Sequence, residues 1–140
     1  MRRIFSLLVV VVALSGFSYA QGNLQFNQVI IENLSSTVSS YTTVTATTIT
    51  VPAGKVWKIE HADLWFNNST RQSFSGYYSL YIDNIILHHS RGSSGSSNQF
   101  AENFPVWLPA GTYTVFISNE DSSSHNYSGT INAIEFNVVP

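Results

Sequence analysis

The chain has 140 residues, no cysteine and a formal net charge of −2, and these three properties exclude several classes of protein. The length suits a single domain. Without cysteine there can be no disulfide, thiolate zinc site, cysteine nucleophile or lipid-modified N-terminal cysteine. Two of the six basic residues, Arg2 and Arg3, lie in the N-terminal leader, and eight residues are acidic. The remainder therefore lacks the clustered Lys and Arg that nucleic acids and anionic membrane surfaces attract.

The first 20 residues have the three parts of a secretory signal peptide. Arg2 and Arg3 form the charged part, residues 4–14 form the apolar part, and Ser18 and Ala20 are the small residues before a cleavage site. The apolar run is too short to cross a bilayer, which takes about 20 residues. We expect cleavage after Ala20 and secretion to the periplasm or the extracellular space. Residues 21–140 then form one domain with no membrane span.

Residues 21–140 are rich in Ser, Thr, Asn, β-branched and aromatic residues, which favour strands and turns. No window shows an apolar stripe of helical period. Eight short apolar or alternating runs separated by turn residues predict an all-β, antiparallel sandwich or barrel. The predicted strands cover residues 24–32, 38–51, 55–66, 74–82, 85–89, 100–108, 112–118 and 129–139.

Tight turns and longer connections alternate along the predicted strands. The segments 52–54, 83–84 and 109–111 are tight turns, because Pro presets φ while Gly, Asp and Asn accept positive φ. Each antiparallel strand reverses the direction of the chain, so alternate connections lie at opposite ends. We therefore expect all four longer connections at one end, namely residues 33–37, 67–73, 90–99 and 119–128.

Residues 51–59 and 108–117 repeat one pattern, in which an aliphatic residue is followed by Pro-Ala-Gly and a strand. A jelly roll winds eight strands as two Greek keys, and its approximate two-fold axis makes the second and sixth connections equivalent. Those connections are the two Pro-Ala-Gly turns, so an eight-stranded antiparallel jelly-roll-type β-sandwich is expected, with other Greek-key sandwiches as the alternative.

In residues 51–59, 108–117 and 129–136, the chain resembles small secreted or phage-tail-tip jelly-roll domains. It is similar, more remotely, to the tumour-necrosis-factor-like trimeric β-sandwiches. The resemblance covers most of residues 21–140 in strand order and rests on turn motifs. It implies a homo-oligomer and recognition through loops or grooves, and it assigns no functional residue.

Few side chains are placed for catalysis or metal binding. His61 and Asp63 lie two apart on a predicted strand and so share a face, with His88 and His89 on the neighbouring hairpin. The spacing matches no zinc motif, and the acidic loop at 119–121 has too few oxygens for calcium. Nucleophile-elbow, phosphate-loop and convergent acid–base patterns are missing from the sequence. We expect no catalytic residue, metal or cofactor, with a small secreted hydrolase as an alternative.

The longer loops are the best candidates for ligand binding. They carry amides, arginines and an aromatic ring, which can bond sugar hydroxyls and stack on sugar faces, and Tyr and Arg are also common in protein interfaces. We expect a secreted, non-enzymatic domain that binds a surface glycan or protein, as in adhesion. The alternative is a structural subunit of an extracellular homo-oligomeric or fibrous assembly. The candidate ligand-binding residues are Arg71, Arg91, Asn98, Asp121, His125, Asn126 and Tyr127.

The predicted strand 55–66 carries apolar residues on both faces. Trp57 and Trp65 are eight apart, so an unbroken strand puts them on one face, while Val56 and Leu64 lie on the other. Two apolar faces predict contact with a second chain and hence a homo-oligomer. A bulge near residues 60–61 is the alternative explanation.

Overall fold

The structure is a computed structural model that describes residues 23–66, 76–93, 96–101 and 104–139, and it describes no side chain between residues 92 and 101. The predicted signal peptide, residues 1–20, lies outside the described residues. Within the described ranges there is no helix, and so none long and apolar enough to cross a membrane. The strands are β1 (Asn23–Val38), β2 (Thr42–Val51), β3 (Lys55–Phe66), β4 (Tyr77–Ile82), β5 (Ile85–Ser93), β6 (Ser96–Ala101), β7 (Val106–Leu108), β8 (Gly111–Asn119) and β9 (His125–Val139).

The strands form two antiparallel sheets. The first sheet has the order β1-β9-β3-β7 and the second has the order β2-β8-β4-β5-β6. The chain pairs with itself like one long hairpin folded over, since β1 pairs with β9, β2 with β8, β3 with β7 and β4 with β5. This pairing, divided between two sheets, is the jelly roll that the sequence predicted. Strand β6 extends the second sheet beyond these eight strands.

The connections separate to the two ends of the sandwich, as strand reversal predicted. Val38 pairs with His125 in the first sheet, and Asn119 pairs with both Thr42 and Tyr78 in the second. These pairs mark the end that we call the loop end, where the connections 39–41 and 120–124 lie. The predicted connection 67–73 lies outside the described residues. The opposite end, the turn end, has the connections 52–54, 83–84 and 109–110.

Several boundaries differ from those predicted. Residues 33–37 were expected as a loop but belong to β1, because they pair with β9 and bury Leu34. Residues 90–93 and 96–99 are strand, and the connection 119–128 shrinks to 120–124. The predicted strand 100–108 is divided between β6 and β7, which lie in different sheets. Pro105 falls in this crossover, where its missing N–H removes no bond from a sheet.

The inward side chains of the two sheets form one core. The alternation read from the sequence is confirmed in the second sheet, where Tyr78, Leu80 and Ile82 are buried on β4. On β8, Val115 and Ile117 are buried in the same way. Alternation therefore leaves the intervening side chains of both strands on the outer face of the second sheet.

A bulge in β3 reverses part of its pattern. The pairing with β9 shifts between Ile59 and His61, so Trp57 and Leu64 both face the core while Trp65 faces outward and is 44% exposed. The bulge alternative is thus correct. Trp57 and Trp65 lie on opposite faces, and the argument for an oligomer drawn from this pair no longer holds.

Glu135 is a buried charge on the inward side of β9. Its carboxylate accepts hydrogen bonds from the Trp57 indole N–H (2.8 Å), from Asn27 and from Gln28 (3.2 Å), and the Lys55 ammonium lies 3.9 Å away. Burial alone would raise the pKa of Glu135, but these hydrogen bonds and the Lys55 charge lower it below its ordinary value. Glu135 is therefore ionised in the folded protein at neutral pH.

Candidate functional site

A buried asparagine holds the loop end together. Nδ2 of Asn119 donates to the backbone carbonyls of Ser39 (3.1 Å) and Ser123 (2.8 Å). Its Oδ1 accepts from the backbone N–H of Asp121 and from the Tyr127 hydroxyl, both at 3.0 Å. One side chain thus joins the connection after β1 to the connection after β8.

Three predicted ligand residues are buried in the same network. Asp121 is 6% exposed and accepts from the backbone N–H of Gly76 (3.1 Å). His125 is 7% exposed, with Nε2 at 3.5 Å from the Asp121 carboxylate. Burial, followed by the nearby Asp121 and Tyr78, raises the pKa of Tyr127 well above its ordinary range, so its hydroxyl stays a donor. These polar atoms face the protein, and direct ligand contact by these residues stays a prediction.

Of the other predicted ligand residues, Arg91 and Asn126 lie on different sheets. Arg91 is exposed on β5, on the outer face of the second sheet. Asn126 is exposed on β9, on the outer face of the first sheet, where it accepts from the Thr37 hydroxyl (2.6 Å). Arg71 lies outside the described residues, as does the side chain of Asn98.

His61 is exposed on β3, whereas Asp63 is half-buried and reaches His88 of the second sheet. One oxygen of Asp63 accepts from the backbone N–H of Leu64 (2.8 Å) and lies 3.5 Å from Nδ1 of buried His88. In the part of the chain that the structure describes, no three His, Asp or Glu side chains converge as they would to hold a metal.

The outer face of the second sheet holds a shallow, open concavity of about 400 Å³. The five lining residues combine two half-buried aromatic rings with three exposed polar side chains. Apolar surface thus lies beside a carboxylate, an amide and a hydroxyl. The lining residues are Thr43, Tyr81, Asp83, Asn84 and Phe116.

Local structure explains why these side chains meet. Tyr81 pairs with Phe116 across β4 and β8, which puts the two rings side by side on one face. Asp83 adopts a positive φ of 48° in the turn between β4 and β5, a conformation that Asp tolerates. Its N–H donates to the Thr114 carbonyl (2.8 Å), and its Oδ1 accepts from the Thr114 N–H (2.9 Å). The Asp83 carboxylate is therefore fixed before any ligand arrives, which lowers the entropic cost of binding to it.

A second aromatic group lies on the same face, nearer the loop end. Tyr77 and Tyr81 are four apart on β4, so they share a face about 13 Å apart. The Tyr77 ring is parallel to the His89 ring at 5.3 Å, and the Arg91 guanidinium lies 5.4 Å from the Tyr77 ring centre. Ser79 fixes His89 through a 2.7 Å hydrogen bond to Nδ1. We call the concavity and this stack together the aromatic face.

The sequence predicts Arg91 but not the concavity, because the concavity lies on strands and a tight turn and not in the longer connections. A signal for the missed residues was present. On the predicted strand 112–118, the alternation that places Val115 inward places Phe116 outward, and an outward aromatic ring beside a polar turn is a pattern typical of binding surfaces. The matching ring, Tyr81, could be paired with Phe116 only after the strand neighbours were known.

Comparison with known proteins shows no family. No protein-family model matches the chain, and a search of the curated proteins finds no match. The function must therefore be inferred from the chemistry of the described surfaces.

Proposed function

We propose that the protein is an exported, non-enzymatic domain that binds a glycan on the aromatic face. The observation that carries the proposal is the composition of the concavity, where Tyr81 and Phe116 lie beside Asp83, Asn84 and Thr43. A pyranose ring has apolar C–H faces and a polar edge. Aromatic rings pack against the former, while carboxylate, amide and hydroxyl groups bond the latter.

The stack at Tyr77 extends the proposed site toward the loop end. An oligosaccharide that occupies the concavity can run along β4 and reach the Arg91 guanidinium. Arginine donates paired hydrogen bonds to carboxylates, so an acidic sugar suits this position and a neutral sugar suits the concavity beside Asp83. Arg91, predicted as a ligand residue in a loop, keeps that role here from a strand.

Two further features support the proposal. The leader pattern of residues 1–20 agrees with export, where surface glycans are found. A catalytic role is not proposed because Asp83 is the one carboxylate among the described residues that line the concavity, and one of its oxygens already bonds the Thr114 backbone. Glycoside cleavage generally requires a second carboxylate across the bond.

A glycan microarray probed with the exported protein tests the proposal, followed by titration calorimetry with the strongest ligand. We expect Asn84→Ala to weaken binding at least about tenfold, which corresponds to about 1.4 kcal/mol. Asn126→Ala is the matched control, because it makes the same change at an exposed asparagine on the opposite sheet, and it should bind like the wild type.

Two results would contradict the proposal. One is an array without any bound glycan while a protein ligand binds the same face. The other is an equal loss of binding in Asn84→Ala and Asn126→Ala, which would show that binding does not depend on the concavity. The alternative function, a structural subunit of an extracellular assembly, depends on another surface, the outer face of the first sheet.

A further inference from the structure

The outer face of the first sheet carries an apolar surface on its turn-end half. Six large side chains there are between 46% and 64% exposed, and they come from β1, β9 and β7. Soluble proteins rarely leave such a group uncovered, so a surface of this kind marks an interaction site. We call it the apolar face, and its exposed members are Leu24, Phe26, Val29, Ile31, Trp107 and Val138.

Strand pairing makes the apolar face continuous from one strand to the next. Phe136 of β9 pairs with Phe26 on one side and with Val56 on the other. Its ring also lies 5.9 Å from the Trp107 ring of β7. Half-buried aromatic and aliphatic side chains thus fill the space between the exposed ones. The result is one surface that crosses all four strands.

A bulge in β1 enlarges the apolar face. The pairing with β9 shifts between Phe26 and Gln28, and Asn27 turns to bond Glu135. Without this shift, Phe26 and Val29 are three apart and would face opposite sides. With it, both face outward and are more than 60% exposed. The local irregularity therefore places apolar surface outside while it satisfies a buried carboxylate inside.

The exposed side chains supply about half of the area that a dimer needs. An aromatic side chain presents about 150–250 Å² and an aliphatic one about 60–120 Å², so two aromatic and four aliphatic side chains at roughly half exposure offer about 300–500 Å². A standard protein interface buries about 800 Å² per partner. The half-buried side chains between the six, among them Phe136, supply much of the remainder. A second copy of the same face can therefore form a stable interface.

The charges on this face permit self-association. Lys58 is paired with Glu60 at 2.6 Å and lies 5.6 Å from the Trp107 ring. The pair of Lys58 and Glu60 would thus bring no unpaired charge to the contact between two copies. A membrane surface is a poorer occupant, because interfacial binding uses a basic rim, whereas this chain is acidic overall and the basic residue within the face is already paired.

We propose that two copies of this chain pack through the apolar face as a two-fold dimer. Sheets pack face to face at about 10 Å with interdigitated side chains, and a two-fold axis lets one patch serve both partners. The aromatic faces then point outward on opposite sides of the dimer. A multivalent ligand would meet two sites, which adds avidity, but the dimer itself does not depend on ligand binding.

Analytical ultracentrifugation of the exported protein across a wide concentration range tests the dimer, with the N-terminus established by mass spectrometry. We expect a particle of twice the chain mass. Ile31→Glu, which places a charge in the apolar face, should raise the dimer dissociation constant at least about tenfold. Ile85→Glu is the matched control, since Ile85 is an exposed isoleucine of the second sheet, and it should dimerise like the wild type. Val29→Ser is a milder second variant in case Ile31→Glu misfolds.

Four outcomes would overturn the proposal. The wild type could be monomeric at every concentration. A dimer could persist in both Ile31→Glu and Val29→Ser, or it could be lost equally in Ile85→Glu, and either result would place the contact elsewhere. Finally, if the exported protein itself retains residues 1–20, is monomeric and dimerises only after they are removed, this segment and not a second copy covers the face.

Discussion

Replacing Asn119 by alanine should destabilise the protein strongly, although the change is small in volume. The side chain donates to backbone carbonyls that include those of Ser39 and Ser123, and it accepts from Asp121 and Tyr127. Ser39 and Ser123 are exposed, so water can replace the lost bonds to their carbonyls. The Asp121 amide and the Tyr127 hydroxyl belong to buried residues and would lose a partner where water does not reach.

The cost can be estimated from those two buried donors. Each buried polar group left without a partner costs about 1–3 kcal/mol, so Asn119→Ala should cost about 3–4 kcal/mol. That is a large part of the 5–15 kcal/mol that is typical of a domain. For a chain of this length it corresponds to a fall of about 12–16 °C in Tm.

Urea denaturation followed by tryptophan fluorescence measures the loss. Tyr127→Phe removes one donor and leaves Asp121 bonded to Asn119, so it should cost about 1 kcal/mol. The double variant should cost about 1–2 kcal/mol less than the sum of the single variants, because no Tyr127 hydroxyl then remains unpaired. Asn126→Ala, at an exposed position, should change stability by less than about 0.5 kcal/mol. A cost below about 1 kcal/mol for Asn119→Ala, or strict additivity, would refute the reasoning.

Three further changes, one of them with a matched control, test other parts of the fold. Glu135→Gln should make the free energy of unfolding fall less steeply in acid than it does in the wild type. The lowered pKa of folded Glu135 contributes stability that disappears as pH falls below the ordinary value of 4.5. Urea titrations at several pH values measure this, and an equal fall in the free energy of unfolding for both proteins would contradict it. Gly129→Ala should cost about 2–4 kcal/mol in thermal melts, since its Cβ would lie 2.5 Å from the Asp63 carbonyl oxygen. Gly111→Ala, whose nearest contact is 3.4 Å, should cost less than about 1 kcal/mol. Ile117→Ala leaves a core cavity and should cost about 3–4 kcal/mol, and a cost near zero would show that Ile117 packs poorly.

The fold class could be predicted because its signals are local. Alternation along β4 and β8 assigns inward and outward faces without knowledge of any partner strand. The turns at 52–54 and 109–111 follow from the conformational limits of Pro and Gly. Counting strand reversals then places the connections at two ends. These steps use only neighbouring residues, and the structure confirms them.

Features that depend on pairing between distant strands could not be predicted. Residues 33–37 look like a loop because they are polar, yet β9 supplies hydrogen bonds that make them strand. The bulges after Phe26 and Ile59 reverse the faces of the residues that follow, and no local signal marks the first of them. The burial of His125 and Asp121 likewise depends on partners on other segments.

Local signals are enough to specify an antiparallel β-sandwich with two kinds of connection at its two ends. That follows from periodicity and turn chemistry, which act over a few residues. Which outward side chains become neighbours depends instead on how distant strands pair. The concavity at Tyr81 and Phe116 and the apolar surface around Phe26 both arise from strand register, because register brings together side chains that lie tens of residues apart in the chain.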